Sequence, residues 1–318
     1  MYLNAALLIL GFIILVKGAD ILVDASVSIA SRFGISEWII GITIISFGSS
    51  LPELVVSLYA SVHGSGGVSL SNVFGSNAAN IFLAAGLTCL IIPIKAPKHI
   101  LKFDVPICVS TTLIVGGLAV LNMNQDSAWV LSRVSGLILL CCGILYLLIL
   151  CRIQKQKPHE TQVNESDAKP FSSKTWLGIL IGLFGLVIGP KLIVDSAVYI
   201  ANEFKLSESF IAFTIIAIGT SLPEIVVTLR SAKKGKPTMA LANVIGSNIM
   251  NACFVLGLSA LSAPLIFESR IVADWMFASF ASLTLALFLV LTPKSTLSRF
   301  HGVLFISTYI LYLAIAAK

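Results

Sequence analysis

Two glutamates stand where a carboxylate is costly. Glu53 closes the segment Thr43-Ile-Ile-Ser-Phe-Gly-Ser-Ser-Leu-Pro-Glu53, and Glu224 closes Thr214-Ile-Ile-Ala-Ile-Gly-Thr-Ser-Leu-Pro-Glu224. Each lies near the middle of an apolar run long enough to cross a bilayer, where an ionisable group costs several kcal/mol and serves function. No Lys or Arg shares either run at comparable depth, so a buried ion pair does not account for them. A bound cation does. The residues just before each glutamate add oxygen. Pro52 and Pro223 have no N–H, which leaves the carbonyls of Gly48 and Gly219 without their helical donors. The helix is expected to break there, and free carbonyls at mid-membrane are tolerated only where they line a cavity or bind an ion. Ser49, Ser50, Thr220 and Ser221 supply hydroxyls.

A second pair of segments belongs to the same set: Asn72-Val-Phe-Gly-Ser-Asn-Ala-Ala-Asn80 and Asn243-Val-Ile-Gly-Ser-Asn-Ile-Met-Asn251. Ser76 with Asn80, and Ser247 with Asn251, are spaced i, i+4, so each pair shares one helix face. Asn72, Asn77, Asn243 and Asn248 are expected to cap helices or bond between them, and Gly75, Gly86, Gly246 and Gly257 to permit close packing. The six cysteines form no CxxC pattern and the four histidines fall in loops or near span ends. Thiolate and imidazole are therefore missing from the candidate set, which is all oxygen and suits hard cations such as calcium or sodium. Two carboxylates balance one divalent ion. The same ligands could hold several monovalent ions instead, but not both kinds together, and that competition is the basis of exchange.

The elements that must position these residues are apolar helices. Hydrophobic residues make up 57% of the 318, charged residues 11%, and mean hydropathy is +0.98; a soluble domain of this length needs more polar surface. Ten spans are predicted, at about 3–26, 38–61, 69–93, 105–122, 129–151, 175–200, 208–229, 239–262, 271–291 and 300–316. Residues Met1 to Val16 have no basic leader before them and read as the start of a retained first helix. Alternate loops carry the basic residues: Arg32, then Lys95, Lys98 and Lys102, then Arg152 to Lys174, then Arg230 to Lys236, then Lys294 and Arg299. The opposite set holds only Arg133, Lys205, Arg270 and Lys318, which places the first set in the cytoplasm and both termini outside. That bias explains the net charge of +6 without nucleic acid. Trp38, Trp129, Trp176 and Trp275 lie near span starts, as interfacial anchors do.

The motifs recur at a constant offset of 171 residues (53 to 224, 80 to 251), and Asp24 and Asp195 match in the same register. A gapless internal repeat of this length marks a duplication. The fold class is therefore all-α, with residues 1–151 as a first five-helix repeat, 152–174 as a polar cytoplasmic linker and 175–318 as a second repeat. Five spans per half turn the second half upside down, the architecture of many secondary transporters, whose site lies where the repeats meet.

These motifs resemble those of the sodium/calcium exchangers of the cation/calcium antiporter superfamily. Gly-Ser-Ser-Leu-Pro-Glu53 and Gly-Thr-Ser-Leu-Pro-Glu224 are similar to that family's two inverted signature repeats, and the segments ending at Asn80 and Asn251 to the helices that follow them. The resemblance implies calcium held by Glu53, Glu224 and the carbonyls of Ser49 and Thr220. It implies sodium held by Glu53, Glu224, Ser50, Ser221, Ser76, Ser247 and the carbonyls of Ser46 and Ala217, with Asn80 and Asn251 completing the centre. It also implies that the first and sixth helices slide against the other eight. Some relatives, potassium-dependent ones among them, carry Asp where this chain has Asn251, so potassium co-transport is not expected. The 152–174 linker is too short for the regulatory domain of animal exchangers. Asp195, four residues after Lys191, is expected to form an ion pair with it.

The expected activity is thus antiport of sodium and calcium, with no cofactor, no nucleic acid and no protein partner, in a prokaryotic inner membrane. A calcium/proton exchanger is the alternative, since protons also compete for carboxylates; acid should inhibit transport in either case, and a flat profile between pH 5 and 8 would count against it. The hydroxyl and carbonyl ligands favour sodium, because a proton needs no such cage. An intramembrane protease would need paired mid-span aspartates or a Gly-x-Ser-Gly with a buried His, and the chain has neither.

Overall fold

A computed structural model describes residues 2–122, 128–156, 173–204 and 217–316. The first half comprises α1 (Tyr2–Phe33), α2 (Glu37–Ser49), α3 (Leu51–Val62), α4 (Gly66–Ile91), α5 (Ile100–Leu121) and α6 (Arg133–Gln156). The second comprises α7 (Ser173–Glu203), α8 (Ala217–Thr220), α9 (Leu222–Lys233), α10 (Pro237–Ser262), α11 (Ser269–Leu291) and α12 (Arg299–Ala316). Seven of these are long and apolar enough to cross a membrane, and the bent pair α2–α3 would make an eighth. The apolar helix α12 is shorter. Of the span predicted at 208–229, residues 208–216 lie outside the described residues, as does most of the linker at 152–174; α6 runs on to Gln156 and α7 begins at Ser173.

The helix ends follow local chemistry. Ser36 caps α2, its Oγ accepting the Ile39 N–H at 3.4 Å. After α3 the chain turns at Gly64 (φ 79°), with Ser65 N–H on the Ala60 carbonyl at 2.8 Å. After α9 it turns at Gly235 (φ 74°), with Lys236 N–H on the Ser231 carbonyl at 3.0 Å. Both are glycine-terminated helix stops of the same kind, and both keep the 171-residue register.

The connecting loops add two short antiparallel pairs that an all-α expectation did not include. Strand β1 (Ile94–Lys95), after α4, pairs with β4 (Thr296–Leu297), before α12. Strand β2 (Trp129–Leu131), before α6, pairs with β3 (Leu265–Phe267), after α10. The second pair repeats the first with the halves exchanged.

Helices α4 and α10 occupy the centre. Of their most apolar stretches 72% and 83% of residues are buried, against 33% for α1, α6, α7 and α11. The outer helices instead expose large apolar side chains such as Phe12, Leu148, Phe184 and Leu287, a surface that only lipid would solvate well. Of the glycines expected to pack closely, Gly86, Gly246 and Gly257 do, a methyl group at Gly246 falling 2.8 Å from the Ile42 Cα. Gly75 does not, since nothing lies within 4 Å of where its Cβ would be.

Candidate functional site

The helix breaks come where the prolines predict them. Ser50 (φ −84°, ψ 7°) separates α2 from α3, which are bent by 46°, and Ser221 (φ −85°, ψ 1°) separates α8 from α9 in nearly the same conformation. Glu53 and Glu224 each sit in the first turn after the break, just beyond a proline, where unpaired N–H groups and the helix dipole favour negative charge. Both are wholly buried, and no basic side chain pairs with either among the described residues.

Hydroxyls tie the two carboxylates into one polar cluster. Ser50 Oγ donates to Glu224 Oε1 at 3.0 Å, reaching from the first half to the second. Ser76 Oγ donates to Glu53 Oε1 at 3.2 Å, and Ser221 Oγ donates to Ser76 Oγ at 3.0 Å. Because Ser50 precedes Glu53 and Ser221 precedes Glu224 by one helical turn, these bonds close a ring through both breaks. Ser49 and Ser247 lie beside it with their hydroxyls 3.4 Å apart.

The central helices are locked by a crossed set of amides. Asn80 Nδ2 donates to Asn248 Oδ1 (3.0 Å), and Asn251 Nδ2 donates to Asn77 Oδ1 (3.1 Å). The Nδ2 atoms of Asn77 and Asn248 donate to each other's main-chain carbonyls at 3.3 and 3.1 Å. The Nδ2 atoms of Asn80 and Asn251 are thus both committed to the opposite half. Asn72 holds Ser57 at 3.0 Å, and Asn243 holds Thr228 at 2.9 Å. The asparagines expected to bond between helices therefore do so. At Asn80–Ala85 and Asn251–Val255 the backbone widens into a π turn, a distortion that sequence did not disclose and that recurs at functional sites.

Among the buried oxygens left without a hydrogen bond, besides five serine hydroxyls, are Glu53 Oε2, Glu224 Oε2, Asn80 Oδ1 and Asn251 Oδ1. These four come as two matched pairs, one from each half. A buried oxygen with no donor costs about 1–3 kcal/mol, and a buried carboxylate more, so four of them at symmetry-related positions point to positive charge as their partner. All four are hard oxygen ligands of the kind sodium and calcium take. Among the described residues no group of three His, Cys, Asp or Glu forms a softer metal site.

Of the remaining candidates, Ser46 is buried in α2. Its carbonyl already accepts the Ser50 N–H (3.1 Å) and the Ser49 hydroxyl (3.3 Å), and its own hydroxyl reaches the Gly41 and Asn243 carbonyls at 2.7 and 3.1 Å. Thr220 ends α8, half-buried, and Ala217 begins it. Two carboxylates outside the repeat went unread in the sequence, Asp104 buried and Asp274 half-buried. Asp104 accepts from Trp38 Nε1 and Tyr146 OH, both at 2.8 Å, and Asp274 accepts from Ser71 Oγ (3.0 Å) and Tyr312 OH (2.5 Å). Trp38 is thus a buried donor and not an interfacial anchor. The expected pair Lys191–Asp195 is present at 3.2 Å, on the surface.

A sodium/calcium exchanger family model matches residues 3–152 and 174–318. The chain belongs to the sodium/calcium exchanger family. It is 36% identical over 275 residues to the inner membrane protein YrbG of Escherichia coli (strain K12), covering 83% of this chain and 81% of that one. It is 29% identical over 344 residues to the sodium/calcium exchanger MaX1 of Methanosarcina acetivorans, with 98% of each covered. Among solved structures, it superposes on the sodium-calcium exchanger NCX_Mj soaked with 2.5 mM Na+ and 0.1 mM Ca2+ with a TM-score of 0.83, at 32% identity and 98% coverage of both. This exchanger is therefore an integral membrane antiporter of sodium and calcium, a transporter and not an enzyme.

Proposed function

We propose that calcium and sodium compete for one buried site between two inverted five-helix halves, residues 1–151 and 175–318, which together span the membrane ten times. The observation that carries this reading is the matched set of four buried oxygens without donors, on Glu53, Glu224, Asn80 and Asn251. Two carboxylates neutralise one calcium ion, with the carbonyls of Ser49 and Thr220 completing its shell. Sodium ions take the same carboxylates together with Ser50, Ser76, Ser221 and Ser247 and the carbonyls of Ser46 and Ala217. The Ser46 carbonyl becomes available when the Ser49 hydroxyl turns from it towards Ser247, 3.4 Å away. Because every ligand set includes Glu53 and Glu224, the ions exclude one another, and exchange follows when the site opens to the two sides in turn.

The charge bias of the loops supports an orientation with both termini outside and the 152–174 linker in the cytoplasm, and the likeness to a bacterial inner membrane protein supports a prokaryotic cell membrane. Equilibrium binding of radiolabelled calcium to the purified exchanger tests the shared site. Sodium should displace calcium completely, and Glu53→Gln should abolish binding. Calcium that stays bound in saturating sodium would falsify it.

A further inference from the structure

The two outer helices are fastened to the rest of the protein unequally. At its second half α1 carries Asp20 and Asp24, and both meet basic residues at the end of α9. Arg230 grips Asp20 with two nitrogens, Nε at 2.6 Å and a terminal nitrogen at 2.5 Å. Lys234 reaches the Asp20 carbonyl at 2.9 Å and also pairs with the Asp24 carboxylate. On the same face Lys236, at the start of α10, pairs with Glu37 in the first turn of α2 at 2.8 Å. With Lys234 also 3.4 Å from the Asp20 carboxylate, all four ion pairs join one half to the other.

The 171-residue register shows what the opposite face has instead. Asp20 and Asp24 correspond to Lys191 and Asp195 on α7, which pair with each other. Arg230 and Lys234 correspond to Tyr59 and His63 at the end of α3, whose rings stack at 4.0 Å, the His63 Nδ1 lying 2.8 Å from the Tyr59 carbonyl. Lys236 corresponds to Ser65, which bears no charge. Among the described residues, none of Lys191, Asp195, Tyr59 and His63 forms an ion pair with the other half. The shielding differs too: the side chains of Asp20, Asp24, Arg230 and Lys234 are 19–34% exposed, against 68% and 62% for Lys191 and Asp195. Screening weakens the exposed pair more.

We infer that Asp20, Asp24, Arg230 and Lys234 form a one-sided ionic latch, which biases the exchanger towards the state closed on the face where α1 ends. The inference rests on the alternating-access reading. Moving α1 away from α9 separates two acids from two bases, including a bidentate Arg–carboxylate pair, the strongest geometry for such a contact. On the opposite face the corresponding positions of α7 and α3 hold no ion pair between the halves among the described residues. The latch touches none of the proposed ion ligands, so it sets which side is open and not what is bound.

The test uses the full chain in right-side-out and inside-out membrane vesicles, reading half-saturating calcium on each face. In Arg230→Gln/Lys234→Gln the value on the latched face should fall about three- to tenfold and the value on the other face should rise. Asp24→Lys/Lys234→Asp should restore the wild-type ratio relative to Lys234→Gln, and Lys191→Gln should leave it unchanged. A ratio that stays constant in the double variant, or in Lys234→Gln alone should the double variant fail to fold, overturns the latch. Hydrogen exchange in the segment 17–27 gives a readout that needs no transport: faster exchange in the variants supports the latch, and unchanged exchange opposes it. Loss of sodium-driven calcium flux in the unsubstituted protein would instead remove the exchange reading.

Discussion

The halves meet in two very different contacts. Between α4 and α10 the contact is directional: Asn77, Asn80, Asn248 and Asn251 exchange four amide hydrogen bonds of 3.0–3.3 Å, and each bond fixes a position and an angle. Between α1 and α7 it is smooth. A methyl group at Gly185 would fall 2.8 Å from the Gly18 Cα, one at Gly182 2.9 Å from the Leu22 Cα, and one at Gly189 2.9 Å from the Leu15 Cα. The backbones come close at these glycines, as small residues allow in membranes, with Leu15, Leu22, Leu186 and Ile193 buried around them. A network of buried polar bonds holds one geometry. Close apolar packing fixes no bond angle, unlike a hydrogen bond. The candidate site is thus built on the hydrogen-bonded contact, and the apolar contact of α1 with α7 lies beside it.

Substitutions can break this contrast at different points. The largest effect is expected at the carboxylates. Glu53→Gln or Glu224→Gln should lower calcium uptake by about a hundredfold or more while the protein still folds, since loss of a ligand exceeds the 10–100-fold typical of its supporting groups; uptake and thermal melting together check this. Next comes the amide lock. Asn248→Ala strips the acceptor from Asn80 Nδ2 and should cost about 1–3 kcal/mol of stability, with calcium affinity reduced roughly tenfold. Equal affinity would mean that the amides do not aim the Asn80 oxygen. A smaller effect is expected on the smooth side. Gly185→Val inserts bulk into a filled contact, an overpacking of about 1–3 kcal/mol, and should slow exchange about tenfold while equilibrium calcium binding stays intact. Lys191→Gln, in an exposed pair within one helix, should change neither melting nor rate measurably.

Much of this was legible because membrane burial leaves polar residues few reasons to exist. Glu53 and Glu224 stand out in apolar runs, the prolines beside them mark the helix breaks, and the constant register joins both with Asn80 and Asn251. The role of the asparagines as cross-links was legible for the same reason. Contacts between segments far apart in sequence and outside the register were not. Asp20 and Asp24 meet Arg230 and Lys234 across more than 200 residues, and those lysines and arginines read equally well as loop charges obeying the orientation rule. Asp104 aligns with Trp275 and Asp274 with Phe103, so no repeat signalled either one. The π turns at Asn80 and Asn251 depend on backbone geometry, and no residue type announces them.

The central claim is exchange through one shared carboxylate site, and vesicle flux tests it most directly. Purified exchanger would be reconstituted into sodium-loaded vesicles, which are then diluted into sodium-free buffer containing radiolabelled calcium. Calcium should accumulate rapidly, the accumulation should collapse when external sodium is restored, and Glu53→Gln and Glu224→Gln should abolish it. Calcium uptake that ignores the sodium gradient and follows an outward proton gradient would contradict it.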